Sequence, residues 1–138
     1  MGIDVGTRRI GLAISDPTQT LARPLATLTV KGPEEAVTLV TREVARLAAE
    51  EDGLAAIIVG MPRRLDGSAS PQTEWVERFT DALATRTGLP VVLVDERLTS
   101  REAESRLSER EPDWRRRKPR LDAAAAAIIL QDYLDRGD

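Results

Sequence analysis

The segment GIDVGTRRIGLAIS, residues 2–15, contains the pattern of two short strands joined by a turn. Residues 1–5 are apolar apart from Asp4, and we expect them to form a strand that ends at Gly6. After a short turn, apolar residues alternate with small ones, which is the period of a second strand. The alternating apolar positions are Ile10, Leu12 and Ile14. So short a connection favours antiparallel pairing of the two strands.

A third extended segment, residues 21–30, follows the turn at Asp16-Pro17-Thr18 and completes a three-stranded meander. The pattern then changes to the spacing of an amphipathic helix. This first helix begins near Gly32-Pro33 and ends at Asp52-Gly53. Its predicted buried positions are Val37, Val40, Val44 and Leu47.

Residues 54–59 are continuously apolar and predict a strand that is buried on both faces. A loop over residues 60–70 separates it from a second helix, which begins at Ser70-Pro71 and ends at Gly88. Another buried strand is expected at residues 89–95. The predicted buried positions of the second helix are Val76, Phe79 and Leu83.

In the last third of the chain, Thr99 and Glu102 resemble a capping box for a short helix towards Arg110. Residues 111–118 are polar, and Pro119 fits the first position of a final helix that continues to about Arg136. Three meandering strands followed by alternating helices and strands predict an α/β fold. We expect a mixed five-stranded sheet flanked by helices, the order that a ribonuclease H-like domain requires. The stretch GTRRIG is not a dinucleotide-binding fingerprint.

Composition narrows the possible chemistry. The 138 residues are 41% hydrophobic, which suits a single domain over residues 1–138. There is no Cys and no His, so thiolate nucleophiles, Cys-based zinc sites and histidine bases are excluded. The net charge of −3 argues against a nonspecific coat for nucleic acid. We expect a cytoplasmic location without membrane contact, because no leader precedes the first strand and no apolar run could span a bilayer.

Three carboxylates stand where chemistry is expected. Asp4 lies in an apolar strand, where a carboxylate is costly unless it is hydrogen-bonded, paired or bound to a metal. Asp95 and Glu96 end a buried strand and point to opposite faces, so only one can lie on the side of Asp4. Asp122 falls one turn into the final helix, ahead of a run of alanines. The structural alternatives are a turn acceptor for Asp4, an ion pair of Arg97 with its acidic neighbours, and a favourable helix-dipole interaction for Asp122.

Carboxylates from two strand ends and a helix start could hold one or two divalent ions. Oxygen ligands select hard cations such as Mg²⁺ or Mn²⁺. Two metals about 4 Å apart can activate an attacking water and stabilise the leaving oxygen of a phosphodiester. This chemistry needs neither His nor Cys, so Asp4, Glu96 and Asp122 are the candidate catalytic residues and metal ligands.

Basic residues cluster near these acids along the chain. Arginine and lysine can neutralise backbone phosphates, and a tryptophan can stack on an unpaired base. A solvated loop is the structural alternative for each charged run. The candidate nucleic-acid-binding residues are Arg8, Arg9, Arg63, Arg64, Arg97, Trp114, Arg115, Arg116, Arg117 and Lys118.

Six segments together resemble the YqgF (RuvX) family, described as Holliday junction resolvases and as pre-16S rRNA nucleases. They are GIDVGTRRIGLA at 2–13, VGMP at 59–62, DGS at 66–68, DERLTS at 95–100, KPRLDAAA at 118–125 and ILQDYL at 129–134. The resemblance implies a ribonuclease H-like fold, a divalent-metal nuclease site at Asp4, Glu96 and Asp122, cytoplasmic location, and action on branched DNA or precursor rRNA. Relatives usually have several residues before the position of Gly2, so we expect either a short first strand or a start of the sequence that is misplaced or trimmed.

Two other functions are compatible with parts of the pattern. The stretch DVGT at 4–7 resembles the first phosphate loop of actin–sugar kinase ATPases, but those proteins need two such domains. A non-catalytic nucleic-acid-binding or ribosome-assembly factor could keep the fold without turnover. Symmetric resolution of a four-way junction needs two active sites and hence a homodimer, in which Trp75 could contribute if it is exposed. Trimming an RNA end needs one site.

Overall fold

In a computed structural model, residues 1–61, 71–95 and 121–136 can be described. They form a five-stranded sheet of order β3-β2-β1-β4-β5 with three helices. No helix within these ranges has the length and apolar content that a bilayer crossing needs. The strands are β1 (Gly2–Val5), β2 (Arg9–Ser15), β3 (Ala22–Thr29), β4 (Ile57–Met61) and β5 (Val91–Asp95). The helices are α1 (Pro33–Ala48), α2 (Pro71–Thr87) and α3 (Leu121–Asp135).

The first three strands form the predicted antiparallel meander. The hairpin between β1 and β2 closes where the Gly6 amide donates to the Arg9 carbonyl at 3.0 Å. The turn between β2 and β3 is organised by Asp16, whose carboxylate accepts from the amides of Thr20 at 2.8 Å and Leu21 at 3.2 Å. Strand β1 is short, with four residues.

The parallel part of the sheet differs from the sequence-based bounds by a few residues. Strand β4 was expected at residues 54–59 but covers Ile57–Met61, so Gly60 is a strand residue and not the start of a loop. Pairing explains the shift, because β4 extends over the residues that pair with β5, from Ile57 to Met61, and also pairs with β1 at Ile58 and Val59. Strand β5 likewise begins two residues later than expected, after Pro90, whose carbonyl accepts from the Ile57 amide at 2.9 Å.

The two faces of the sheet are covered by different helices. Helices α1 and α2 cover one face with the apolar side chains that their spacing predicted, and all seven of these are buried. Helix α3 covers the other face, where Ile129 and Ala126 pack with Ile58 of β4 and Ala13 of β2. Trp75 does not form an exposed patch, because it packs against the first core and stacks on Phe79 with ring centroids 5.7 Å apart.

The observed architecture confirms the predicted fold class, a mixed five-stranded sheet flanked by helices. Three sequence-based expectations lie outside the described residues: most of the loop at 60–70, the short helix from Thr99 to Arg110, and Pro119 as the start of the last helix. That residues 1–138 form a single domain stays a prediction.

Candidate active site

Asp4 lies near the carboxyl end of β1 and is partly buried. In the antiparallel ladder it is directly opposite Gly11 of β2. Residues that are directly opposite in such a ladder project to the same face of the sheet. An ideal Cβ on Gly11 would point at the first turn of α3, so the side chain of Asp4 lies on the face that α3 covers.

Gly11 allows α3 to approach the sheet at the position of Asp122. A Cβ there would collide with the carbonyl group of Asp122 and lie 2.8 Å from the amide nitrogen of Ala123. The absence of a side chain therefore lets the helix backbone rest directly on β2. As a result, Asp122 is held at the same end of the sheet and on the same face as Asp4.

The carboxylate of Asp122 has an unusual environment. Its side chain is 23% exposed, but the oxygen Oδ2 is buried. Oδ2 lies 3.0 Å from Nε of Arg9, whose side chain is 47% exposed. Although this distance is short, the N–H of Arg9 does not point at the oxygen, and Oδ2 accepts no hydrogen bond within the described part of the chain. A buried carboxylate oxygen without a hydrogen bond is costly and usually has a ligand or a charge beside it. The carboxylate oxygens of Asp4 and Asp122 therefore fit a hard divalent cation.

Basic side chains surround this end of the sheet. Arg8 is exposed in the β1–β2 turn, beside Arg9 at the start of β2. Lys31 is exposed as well. It lies at this end of the sheet because the amide of its neighbour Val30 donates to the carbonyl of Arg8 at 2.8 Å. The sequence reading did not select Lys31. Because β3 runs antiparallel to β2, the end of β3 lies beside the start of β2. This predicted pairing could have placed Lys31 near Arg9.

Gln72 is a second polar residue that the sequence reading did not select. It lies in the first turn of α2, and its Nε2 donates to the carbonyl oxygen of Val5 at 3.3 Å. This bond links α2 to the end of the strand that carries Asp4. No local sequence pattern indicates such a contact, because the two residues are 67 positions apart.

Glu96 is the residue after the end of β5 and lies outside the described residues. The backbone of Asp95, which precedes it, pairs with Met61 of β4. Among residues 1–61, 71–95 and 121–136, no three acidic side chains gather into a metal-binding group. Eight candidate nucleic-acid-binding residues also lie outside the described ranges: Arg63, Arg64, Arg97, Trp114, Arg115, Arg116, Arg117 and Lys118.

A cavity of about 740 Å³ lies at the opposite end of the sheet. Its lining includes Asp16, Asp52, Glu50 and Tyr133, and neither Asp4 nor Asp122 borders it. The candidate site is therefore defined by two carboxylates on one face, at the other end of the sheet, and not by this cavity.

A mixed sheet of this strand order, with helices on both faces, defines a ribonuclease H-like α/β protein. The family model described as RuvX, Holliday junction resolvase, matches residues 1–136, and the chain belongs to this family. The YqgF (RuvX) resemblance is thus confirmed. The chain is a nuclease, as the sequence predicted.

Individual proteins support the same placement. A protein of Chloroflexus aggregans named "Putative pre-16S rRNA nuclease" is 44% identical over 135 residues, covering 98% of this chain and 92% of that protein. The structure of Thermus thermophilus RuvC matches with a TM-score of 0.53 at 17% identity, covering 99% of this chain and 93% of RuvC. RuvC in complex with a Holliday junction substrate matches with a TM-score of 0.51 at 19% identity, over 99% and 92% of the two chains. At these identities, the likeness to RuvC shows the fold.

Proposed function

We propose that this nuclease depends on a divalent metal, Mg²⁺ or Mn²⁺, bound by Asp4, Glu96 and Asp122. The observation that carries the proposal is the buried Oδ2 of Asp122, which has a cation 3.0 Å away but no hydrogen bond within the described residues. Asp4 lies on the same face of the sheet, opposite the glycine on which Asp122 rests. Glu96 joins the proposed site through its place directly after β5 and through the family motif DERLTS.

The residues of the chain have separable roles in this proposal. When bound, the metal would supply Lewis-acid polarisation of the phosphodiester and help to generate the attacking hydroxide. Asp4 and Asp122 provide the negative charge that binds it. The packing of α3 on Gly11 fixes the position of Asp122 before any ligand arrives, which avoids reorganisation during binding. Arg8 and Lys31, exposed at the same end of the sheet, would neutralise backbone phosphates of the substrate.

Precursor 16S rRNA is the substrate that we propose first, because a relative with that activity in its name is 44% identical over 98% of this chain. A four-way DNA junction is the second candidate, because the family model is described by that activity. The two differ in what they require of the protein. Symmetric cleavage of a junction needs two active sites and hence a homodimer, whereas trimming an RNA end can proceed on a monomer. A homodimer and a cytoplasmic location stay predictions.

The test is cleavage of a labelled precursor 16S rRNA fragment and a labelled four-way junction with Mg²⁺ or Mn²⁺. The variants are Asp4→Asn, Glu96→Gln and Asp122→Asn, with Asp132→Asn as matched control because Asp132 is an exposed acid on the same helix as Asp122. We expect wild type and the control to cleave, the three site variants to lose activity by at least about 100-fold, and a chelator to abolish cleavage.

Wild-type rates from Asp4→Asn and Asp122→Asn would refute the site. A folded wild type that binds Mn²⁺ but cleaves neither substrate would favour a non-catalytic assembly factor. Sedimentation of the active protein alone and with each substrate would separate the candidates, since junction resolution requires two copies on one junction.

A further inference from the structure

The contact between Arg9 and Asp122 has a consequence for metal binding. Arg9 Nε lies 3.0 Å from the carboxylate oxygen that we propose as a metal ligand. The guanidinium and a divalent ion would both be cations at one oxygen. They repel each other at such separations, so the oxygen cannot serve both equally well.

The two partners differ in their freedom to move. Asp122 is on a helix whose backbone rests on Gly11, and its side chain is 23% exposed. Arg9 is at the first position of β2, and its side chain is 47% exposed. Its backbone is fixed by the hairpin bond to Gly6, but a long, half-exposed side chain can change rotamer into solvent. If one partner leaves, it is the guanidinium.

The bond geometry points the same way. An arginine that served as a permanent structural partner would normally present one or two N–H groups to the carboxylate in a fork. Here Arg9 Nε, 3.0 Å from Oδ2, does not make a hydrogen bond to it. The contact therefore neutralises charge without the directional bonds that would make it hard to exchange.

We propose that Arg9 is the exchangeable counter-cation of the site: it neutralises Asp122 in the absence of metal, is displaced when the metal binds, and is then free to contact a substrate phosphate. This proposal rests on the metal site proposed above. It assigns Arg9 a role beyond general phosphate binding, because metal binding and phosphate binding become coupled through one side chain. Coupling of this kind is reciprocal, so the metal and the nucleic acid favour each other's binding.

The test is calorimetric titration of Mn²⁺ into nucleic-acid-free protein. Arg9→Gln removes the competing charge, and we expect it to bind Mn²⁺ about three- to fivefold more tightly than wild type, the upper range of a partly exposed ion pair. Arg9→Lys keeps a cation at this position and is expected to stay within about twofold of wild type. Arg8→Gln has the same change in net charge at an exposed neighbouring position and controls for general electrostatics, with an expected metal affinity also within about twofold.

A second measurement needs no variant in the titrated sample. The Nε–H resonance of Arg9, assigned by its loss in Arg9→Lys, is followed by NMR while Mg²⁺ is added to wild type. We expect it to move to the position of a solvated arginine in step with metal binding.

The outcomes separate the two proposals. If wild type binds no Mn²⁺, or Asp122→Asn binds it as wild type does, the metal site itself fails. If wild type binds Mn²⁺ and Asp122→Asn does not, the site stands. An equal or weaker affinity of Arg9→Gln, an equal gain in Arg8→Gln, or an unchanged Arg9 resonance at saturating Mg²⁺ would then overturn the role of Arg9 alone.

Discussion

Replacing Gly11 by alanine perturbs the contact that positions Asp122. The added Cβ collides with the carbonyl group of Asp122 and lies 2.8 Å from the nitrogen of Ala123. Both are backbone atoms of a helix that packs on the sheet through Ala126 and Ile129, so they cannot rotate away. Inserting a methyl group into close packing usually costs about 1–3 kcal/mol, and an unyielding backbone neighbour favours the upper end, about 3 kcal/mol.

The assay is urea unfolding followed by circular dichroism, with Mn²⁺ affinity measured on the same samples. Gly32→Ala is the matched control, because a Cβ at Gly32 meets nothing within 4 Å and its φ of 179° is ordinary extended backbone. Gly32 caps α1, so its replacement is expected to cost no more than about 1 kcal/mol. Gly11→Ala should also weaken Mn²⁺ binding, since α3 must move away from Asp4. A Gly11→Ala protein as stable as the control, with unchanged Mn²⁺ affinity, would refute this account of how Asp122 is held.

Three further predictions address the rest of the fold. Gln131→Ala removes a side-chain oxygen, Oε1, that accepts a hydrogen bond from the backbone amide of Ala22 at 2.9 Å. It should lower the free energy of unfolding by about 1–2 kcal/mol. The control Asp132→Ala, at an exposed position, should lower it by less than about 0.5 kcal/mol. Leu83→Ala should cost about 2–5 kcal/mol in the same unfolding assay yet leave Mn²⁺ affinity unchanged, because Leu83 is in the core on the other face. Hydrogen bonds from the Thr20 and Leu21 amides hold the pKa of Asp16 below its ordinary value of 3.8. The ionised Asp16 therefore stabilises the fold above pH 3.8, and this stabilisation is lost as the pH falls through the lower pKa of the folded state. Asp16→Asn should therefore flatten the acid-side loss of stability, measured as the urea midpoint against pH.

The element types and order could be predicted because they depend on local periodicity. The alternation through Ile10, Leu12 and Ile14 and the helical spacing of Val37, Val40 and Val44 each specify one buried face. The bounds of β4 could not be predicted in the same way. Leu54 is apolar and was expected to begin the strand, but the strand begins at Ile57, where pairing with Val91 of β5 begins.

The site was predictable in part. Asp4 and Asp122 could be selected because a carboxylate in an apolar setting is costly unless something compensates it. Their common face follows from the register of β1 with β2 and from the contact of α3 with Gly11, which are tertiary facts. The contact of Arg9 with Asp122 likewise depends on tertiary structure. Sequence reading treated Arg9 as a phosphate ligand, and its contact with a candidate metal ligand becomes visible only in the folded arrangement.

Asp4 and Asp122 are proposed to bind one shared divalent ion. Electron paramagnetic resonance of free Mn²⁺ tests it directly in the absence of nucleic acid, with wild type, Asp4→Asn, Asp122→Asn and the exposed control Asp132→Asn. We expect wild type and the control to remove Mn²⁺ from solution with equal affinity, and either site variant to weaken binding by at least about tenfold. Equal Mn²⁺ affinity in all four folded proteins would contradict it.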